Sequence, residues 1–341
     1  MTVREAIQAL LDGRTLARDE ARAAMREIMA GEATAAQIAG FLVALRAKGE
    51  AAAEIAGCAE AMREHVLAVT PRRECVIDIV GTGGDGRATL NISTAAALVA
   101  AAAGAAVAKH GNRAVSSRSG AADVLEALGF MLDQSPERVA GSIDTLGFGF
   151  MFAPAHHPAM RHAAPVRREL GVRTVFNIIG PLTNPAGATG GVFGVYAAAL
   201  APTFAAALAE LGTRHALVVH GFGGIDELSP CGPNDVFEVR EGSITQTVVD
   251  PAALGLAAAD PSALTGGTAA ENAAELRAIL AGSCDGPKRD AIALNAGAAL
   301  VTAGIAGTIA EGMALGQDTI TNGEALDRLN ALVAFSQGGH D

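Results

Sequence analysis

Residues 76–94 read VIDIVGTGGDGRATLNIST, a β-branched run at 76–80 that stops at a glycine cluster. Gly81, Gly83 and Gly86 fit the spacing G-x-G-x-x-G. Glycine takes positive φ without strain and lets backbone N–H groups approach an anion. The polar residues Asn91, Ser93 and Thr94 then lead into an Ala-rich stretch, 95–103, that reads as helix. A helix N-terminus adds unpaired N–H donors and a dipole that favours negative charge. The stretch therefore suits a phosphate, with a plain strand-turn-helix corner as the alternative. A dinucleotide would need a carboxylate about 20 residues further on for the ribose hydroxyls. Between Asp85 and Asp123 there is no Asp or Glu, while Arg87, Lys109, His110, Arg113 and Arg118 fall in that interval. Several cations and no acid, in a chain of net charge −11, point to a polyanion larger than the glycines alone would hold.

Three further clusters carry chemistry. In KHGNRAVSSRSGAADVLEALG, residues 109–129, Lys109, Ser116, Ser117 and Ser119 offer donors after an apolar run, and His110 and Asn112 suit the rest of a small ligand. A surface loop before a helix starting near Ala121 is the blander alternative. Asp226 and Glu227 are adjacent carboxylates in the glycine-rich loop 221–235, where they repel unless a cation is present. Such oxygens suit Mg²⁺ held together with substrate phosphates, and a solvated loop tip would also explain them. His156, His157, Arg161, His162, Arg167, Arg168 and Arg173 crowd the third segment. One of these arginines is suited to a bidentate pair with a substrate carboxylate. Zinc is disfavoured, because no Cys or carboxylate sits at ligand spacing to the histidines.

These clusters need a scaffold, and the chain has one to spare: 341 residues, half of them hydrophobic, with one tyrosine and no tryptophan. A sequence pI near 5.2 disfavours general binding to nucleic acid or anionic membranes. The four cysteines, Cys58, Cys75, Cys231 and Cys284, form no C-x-x-C pair and read as packing residues in a reducing compartment. The N-terminal MTVREAIQALLDG is amphipathic rather than a secretory signal, and the most apolar window, 95–108, is short of the roughly 20 residues a membrane span needs. A soluble cytoplasmic protein is expected.

Residues 1–69 read as helices only. Thr2 with Glu5 and Thr34 with Gln37 fit capping boxes, and the pattern changes after Thr70-Pro71. Strand candidates follow at 75–80, 105–108, 148–152, 192–196, 216–220 and 236–239, mostly separated by helical stretches. That alternation predicts an α/β fold with a mostly parallel sheet flanked by helices, whose ligands sit in loops at the carboxyl ends of the strands. Residues 153–187 read as loops with short helices, and 270–335 as helices again.

Taken together, GTGGD (81–85), NIST (91–94), KHGNRAVSS (109–117), HHPAMR (156–161), GVRTVFNIIGPLTNP (171–185) and the pair at 226–227 resemble the anthranilate phosphoribosyltransferase family. GGTAAENA, LNAGAAL and AEGMALG in the tail extend the resemblance over nearly the whole chain. It implies a small all-helical domain, 1–70, joined by helices from about 160–187, and a larger α/β domain, 71–341, that binds phosphoribosyl diphosphate. It further implies a homodimer through the helical part, no nucleic-acid or membrane partner, and a Mg²⁺-dependent reaction with two ions. In that reaction the amine of anthranilate displaces pyrophosphate from C1 of 5-phosphoribosyl 1-diphosphate.

Carried over by motif, Gly81, Gly84, Asp85, Thr89, Asn91, Ile92, Ser93, Thr94, Lys109, His110, Gly111, Asn112, Arg113, Ala114, Val115, Ser116, Ser117 and Ala121 line the phosphoribosyl diphosphate. Gly81, His110, Asn112 and Arg167 meet anthranilate, and Ser93, Asp226 and Glu227 hold magnesium. No catalytic residue is assigned beyond His110 as a candidate proton acceptor. Two departures stand out. The family commonly reads S-G-S-A-D where this chain has Ser119-Gly120-Ala121-Ala122-Asp123, and it often has an acid where this chain has Gly223-Gly224. Two rival readings remain. Pyrimidine-nucleoside phosphorylases share the fold and a similar KHGNR loop, with a glycine loop more like S-T-G-G-V-G-D. A catalytically silent nucleic-acid-binding relative would want a basic groove.

Overall fold

The computed structural model describes residues 1–114 and 118–338. Four helices come first: α1 (Val3–Leu11), α2 (Arg18–Met29), α3 (Ala35–Lys48) and α4 (Ala52–Arg63). Both capping boxes form: the Thr2 N–H donates to Glu5 at 2.8 Å, and the Thr34 N–H to Gln37 at 2.8 Å. Where the N-cap is alanine, the glutamate three residues on still accepts its N–H, Glu20 from Ala17 and Glu54 from Ala51. Glu54 is wholly buried, and its carboxylate is answered by the Leu16 N–H at 2.9 Å and the Lys48 ammonium at 2.9 Å. Gly57 lets α4 lie directly on α2, since a Cβ there would come within 2.9 Å of the Arg22 nitrogen and closer still to the Arg18 carbonyl.

The rest of the chain alternates: β1 (Ile77–Gly81), α5 (Ile92–Ala102), β2 (Val107–Gly111), α6 (Ala121–Ala127), α7 (Pro136–Leu146), β3 (Phe148–Phe152), then the short helices α8 (Ala153–His156), α9 (Ala164–Leu170) and α10 (Phe176–Ile179). There follow β4 (Gly190–Gly194), α11 (Ala201–Glu210), β5 (His215–His220), β6 (Asn234–Arg240), β7 (Ser243–Val249), α12 (Ala269–Leu280), α13 (Pro287–Thr302), α14 (Ile309–Thr321) and α15 (Glu324–Ser336). The seven-stranded sheet runs β3-β2-β1-β4-β5-β6-β7. β3 to β5 are parallel, and β6 and β7 add an antiparallel hairpin. The order reverses between β1 and β4, and their carboxyl ends open the crevice where α/β sheets take ligands.

Both faces of the sheet are covered. On one side Leu217 and Val219 pack with α5 and α13; on the other Ala216 and Val218 pack with α11 in a core that continues through Val166, Phe176 and Ile178 into α1–α4. This is the period of two that strand geometry dictates. Segment 163–182 thus shares its core with the N-terminal helices.

Two strands differ from the sequence expectation. β2 runs on through Lys109 and His110 to Gly111, because these residues pair with Phe150, Met151 and Phe152 of β3. β7 carried no expectation, because its residues are exposed and lack the apolar alternation that marks a buried strand. A Gly57→Ala substitution should overpack the α2–α4 contact and cost about 1–3 kcal/mol, which thermal unfolding would register as a lower midpoint.

Candidate functional site

The glycine loop leaves β1 at the switch point. The Thr82 N–H donates to the Gly194 carbonyl at 2.9 Å, and the Thr82 hydroxyl accepts from the Tyr196 N–H at 3.1 Å, which stitches the loop to the end of β4. Gly83, Gly84 and Gly86 take φ values of +67°, +75° and +74°. The Gly83 N–H donates to the Asp226 carboxylate at 2.7 Å, and the Gly84 carbonyl accepts from the Arg173 guanidinium. A Cβ on Gly81 would collide with the Asp226 carboxylate, so only glycine allows that approach. Ala88 holds φ +51°, unusual for a non-glycine. It is fixed there by Gly266, whose N–H donates to its carbonyl at 2.8 Å, and by the bridge from Thr89 to Thr265.

Above β1 and β5, carboxylate oxygens of Asp85, Asp226 and Glu227 lie within 4.8 Å of one another. Asp85 Oδ2 and Glu227 Oε2 are buried without a hydrogen-bond partner. Burial and the neighbouring acids push Asp226 up to about 6 and Glu227 well above the usual carboxylate range. A cluster of hard oxygens that cannot all ionise unaided fits a divalent cation such as Mg²⁺. The sequence pairs Asp226 with Glu227 and groups Asp85 with the phosphoribosyl contacts; the glycine turn swings it into the acid group. The Ser93 hydroxyl, the third expected metal ligand, lies 3.4 Å from the Lys109 ammonium.

Lys109, expected in a loop, is instead a buried strand residue whose ammonium donates to the Ile79 carbonyl at 2.5 Å. Beside it Asp78 is fully buried and accepts from Ile79 N–H at 2.8 Å and from Asn184 Nδ2 at 2.7 Å. Burial lowers the basicity of Lys109 and raises Asp78 to about 6; their mutual attraction opposes both shifts without overcoming them. Asp78 and Asn184 received no role from the sequence, though a carboxylate inside an apolar strand was a readable signal.

Ile92 and Ser93 open α5, and Thr94 there keeps a buried hydroxyl without a hydrogen-bond partner. Asn91, just before, is engaged: its side-chain carbonyl accepts from the Ser119 hydroxyl at 3.1 Å and from Asn272 at 2.9 Å. Arg113 is ion-paired with Asp123 at 3.1 Å and Glu126 at 2.8 Å. Asp123 also accepts the N–H groups of Ala114 and Gly120, so its carboxylate folds both ends of this loop onto α6, which starts at Ala121. Asn112 is exposed and accepts the N–H of Arg113. Gly111 ends β2. Val115, Ser116 and Ser117 lie outside the described residues.

Arg167, on α9, is half-buried over the Phe176 ring, 5.1 Å from its centroid. Among the described residues its guanidinium has no hydrogen bond or ion pair, and burial lowers its basicity. The His110 and His157 rings meet through their Nε2 atoms at 3.1 Å. Burial depresses His110 to about 3, helped by His157 and His156, and His157 to about 4, helped by His156. The pair is therefore neutral at pH 7, one Nε2–H donating to the other ring.

The glycosyl transferase family helical-bundle model matches residues 4–66, and the glycosyl transferase family a/b-domain model matches residues 73–326. An anthranilate phosphoribosyltransferase of Chloroflexus aggregans is 55% identical, over 99% of both chains. The chain belongs to the anthranilate phosphoribosyltransferase family. Its fold superposes on the crystal structure of anthranilate phosphoribosyltransferase from Thermus thermophilus with a TM-score of 0.93 at 51% identity, covering 97% of this chain and 99% of that one. The Saccharomyces cerevisiae anthranilate phosphoribosyltransferase in complex with PRPP and Mg gives a TM-score of 0.90 at 29% identity, covering 98% of each. Against the family pattern, Gly223 and Gly224 have φ +84° and +79°, a turn that glycine adopts more readily than the acid many members carry.

The histidine pair sets a pH dependence. Both folded values lie below the ordinary 6.5, so the unfolded chain binds more protons in acid. The pair's stability is fully present above about pH 7.5 and is lost as pH falls through 6.5 toward 4. Melting temperatures at pH 7.5 and 5.0 should therefore converge in His157→Gln relative to the wild type; an unchanged gap would show that the pair does not titrate with unfolding.

Proposed function

We propose that this cleft transfers the phosphoribosyl group of 5-phosphoribosyl 1-diphosphate to the amine of anthranilate, a step of tryptophan biosynthesis. The observation that carries the reading is the Asp85–Asp226–Glu227 cluster facing a glycine loop at the switch point. Three carboxylates would repel a free phosphate, which disfavours the nucleoside phosphorylase alternative. An acidic chain likewise disfavours nucleic acid. Asp85, Asp226 and Glu227, with Ser93 nearby, would hold magnesium, two ions in this reading. Bound there, the metal neutralises the diphosphate and makes pyrophosphate a better leaving group.

The chain's own residues bind and orient. In this reading the glycine-loop N–H groups, the start of α5 with the open Thr94 hydroxyl, and the end of β2 with Asn112 after it would bind the phosphoribosyl diphosphate. Arg167 takes the anthranilate carboxylate, a bidentate ion pair that aims the amine at C1. The C1–oxygen bond to pyrophosphate breaks, the C1–nitrogen bond forms, and the amine proton leaves to solvent. An aromatic amine is unprotonated near neutral pH, so no strong base is needed. His110, held neutral and bonded to His157, is a wall of the site in this reading rather than a proton acceptor.

The division into a helical domain, 1–70 with the helices of 160–187, and an α/β domain, 71–341, belongs to the same proposal. So does a homodimer through the helical part, supported by exposed Leu11 and Val43 on α1 and α3. No helix of the described residues is long and apolar enough to cross a membrane, which suits a cytoplasmic enzyme.

Anthranilate fluorescence should fall when protein, phosphoribosyl diphosphate and Mg²⁺ are mixed, and EDTA should stop it. Arg167→Ala should raise KM for anthranilate roughly 10–100-fold, the loss of a charge-assisted pair. No fluorescence loss beside an active reference enzyme would sink the reading.

A further inference from the structure

Three consecutive residues of the glycine loop are each held by a different element. Thr82 is tied to the end of β4, the Gly83 N–H to Asp226 on the β5–β6 loop, and the Gly84 carbonyl to Arg173 between α9 and α10. The next residue is Asp85, whose Oδ2 is buried, unpartnered, and part of the acid cluster. The Arg173 guanidinium also lies over the ring of Tyr196, 4.0 Å from its centroid, and Tyr196 is the chain's only tyrosine. Among the described residues Arg173 has no ion pair with an acid, and the reaction above does not use it.

A loop with glycine at 83, 84 and 86 has almost no side chain to pack, so it is costly to order from within. Its order must come from outside. Arginine suits that task, because a planar guanidinium stacks on a ring and donates along its edge at the same time, whereas a lysine ammonium lacks the plane. The two contacts fix one atom, the Gly84 carbonyl, one peptide before the carboxylate that matters.

We propose that Arg173 is a positioning residue: stacked on Tyr196 and bonded to the Gly84 carbonyl, it sets the glycine loop so that Asp85 faces Asp226 and Glu227. This rests on the reading of the acid cluster as the metal and diphosphate end of the cleft. Arg173 acts on that end alone and leaves the acceptor at Arg167 untouched.

The test uses the full-length protein as Arg173→Ala, Arg173→Lys, Tyr196→Leu, Tyr196→Phe and the Arg173→Ala/Tyr196→Leu double variant. Arg173→Ala should raise KM for phosphoribosyl diphosphate roughly tenfold, leave KM for anthranilate within about twofold, and keep the melting temperature. Mn²⁺ binding without substrate, followed by electron paramagnetic resonance, should weaken in the same variant. Tyr196→Phe should behave as wild type because the ring remains, Tyr196→Leu should share the loss, and the double variant should be no worse than Arg173→Ala alone. Arg173→Lys should recover little. An unchanged KM for phosphoribosyl diphosphate would overturn the proposal. So would a raised KM with unaltered Mn²⁺ affinity, which would make Arg173 a direct partner of the substrate, or an equal rise in KM for anthranilate. A wild type that does not consume anthranilate would defeat the functional reading instead, while the Mn²⁺ comparison would still judge the loop contact.

Discussion

Asp85, Asp226 and Glu227, each half-buried, place carboxylate oxygens within 4.8 Å of one another. Three such groups cannot all ionise there without a cation. The strain is visible in two places: two buried oxygens lack partners, and Asp226 and Glu227 are both pushed toward the protonated form. A cation relieves both at once. In the proposed reading these acids would hold the ion that neutralises the substrate's phosphates, and the glycine loop borders them from the side of β1.

The fold makes that crowding possible through backbone proximity. β1 and β4 sit side by side at the reversal of strand order. Gly81 and Gly194 have no Cβ to hold the loop bearing Asp226 away from the strand ends. The layer beneath the sheet continues into the N-terminal helices and includes Val166 of α9, so in the proposed reading Arg167 would meet the acceptor from the helical side while the groups that take the phosphates would come from the sheet.

How much of this the residues announced depended on the kind of signal. The capping boxes of Thr2 and Thr34 are local, and they formed as read. The strand–glycine–helix order at 76–102 formed as read, as β1, a turn with positive φ at Gly83, Gly84 and Gly86, and α5, because glycine spacing encodes turn geometry directly. The pair Asp226-Glu227 was visible as adjacent acids, but Asp85 joins them from far back along the chain, a long-range contact that the glycine pattern alone does not show. Lys109 read as a loop donor because a charged residue ends an apolar run; pairing with β3 buries it instead. Arg113 counted among the free cations of its interval, yet Asp123 and Glu126 on the next helix engage it. The His110–His157 pair and the Arg173–Tyr196 stack are long-range contacts that single-sequence periodicity cannot show.

Proton release on metal binding tests the central claim most directly. Mg²⁺ titrated calorimetrically into the substrate-free protein at pH 6.5, in buffers of different ionisation heat, counts the protons that leave the acid cluster. A cluster that holds a shared proton until the cation arrives should release roughly one proton per protein. Binding without proton release would mean that the carboxylates are already ionised apart, and the account of the site as a cation-completed acid cluster would fail.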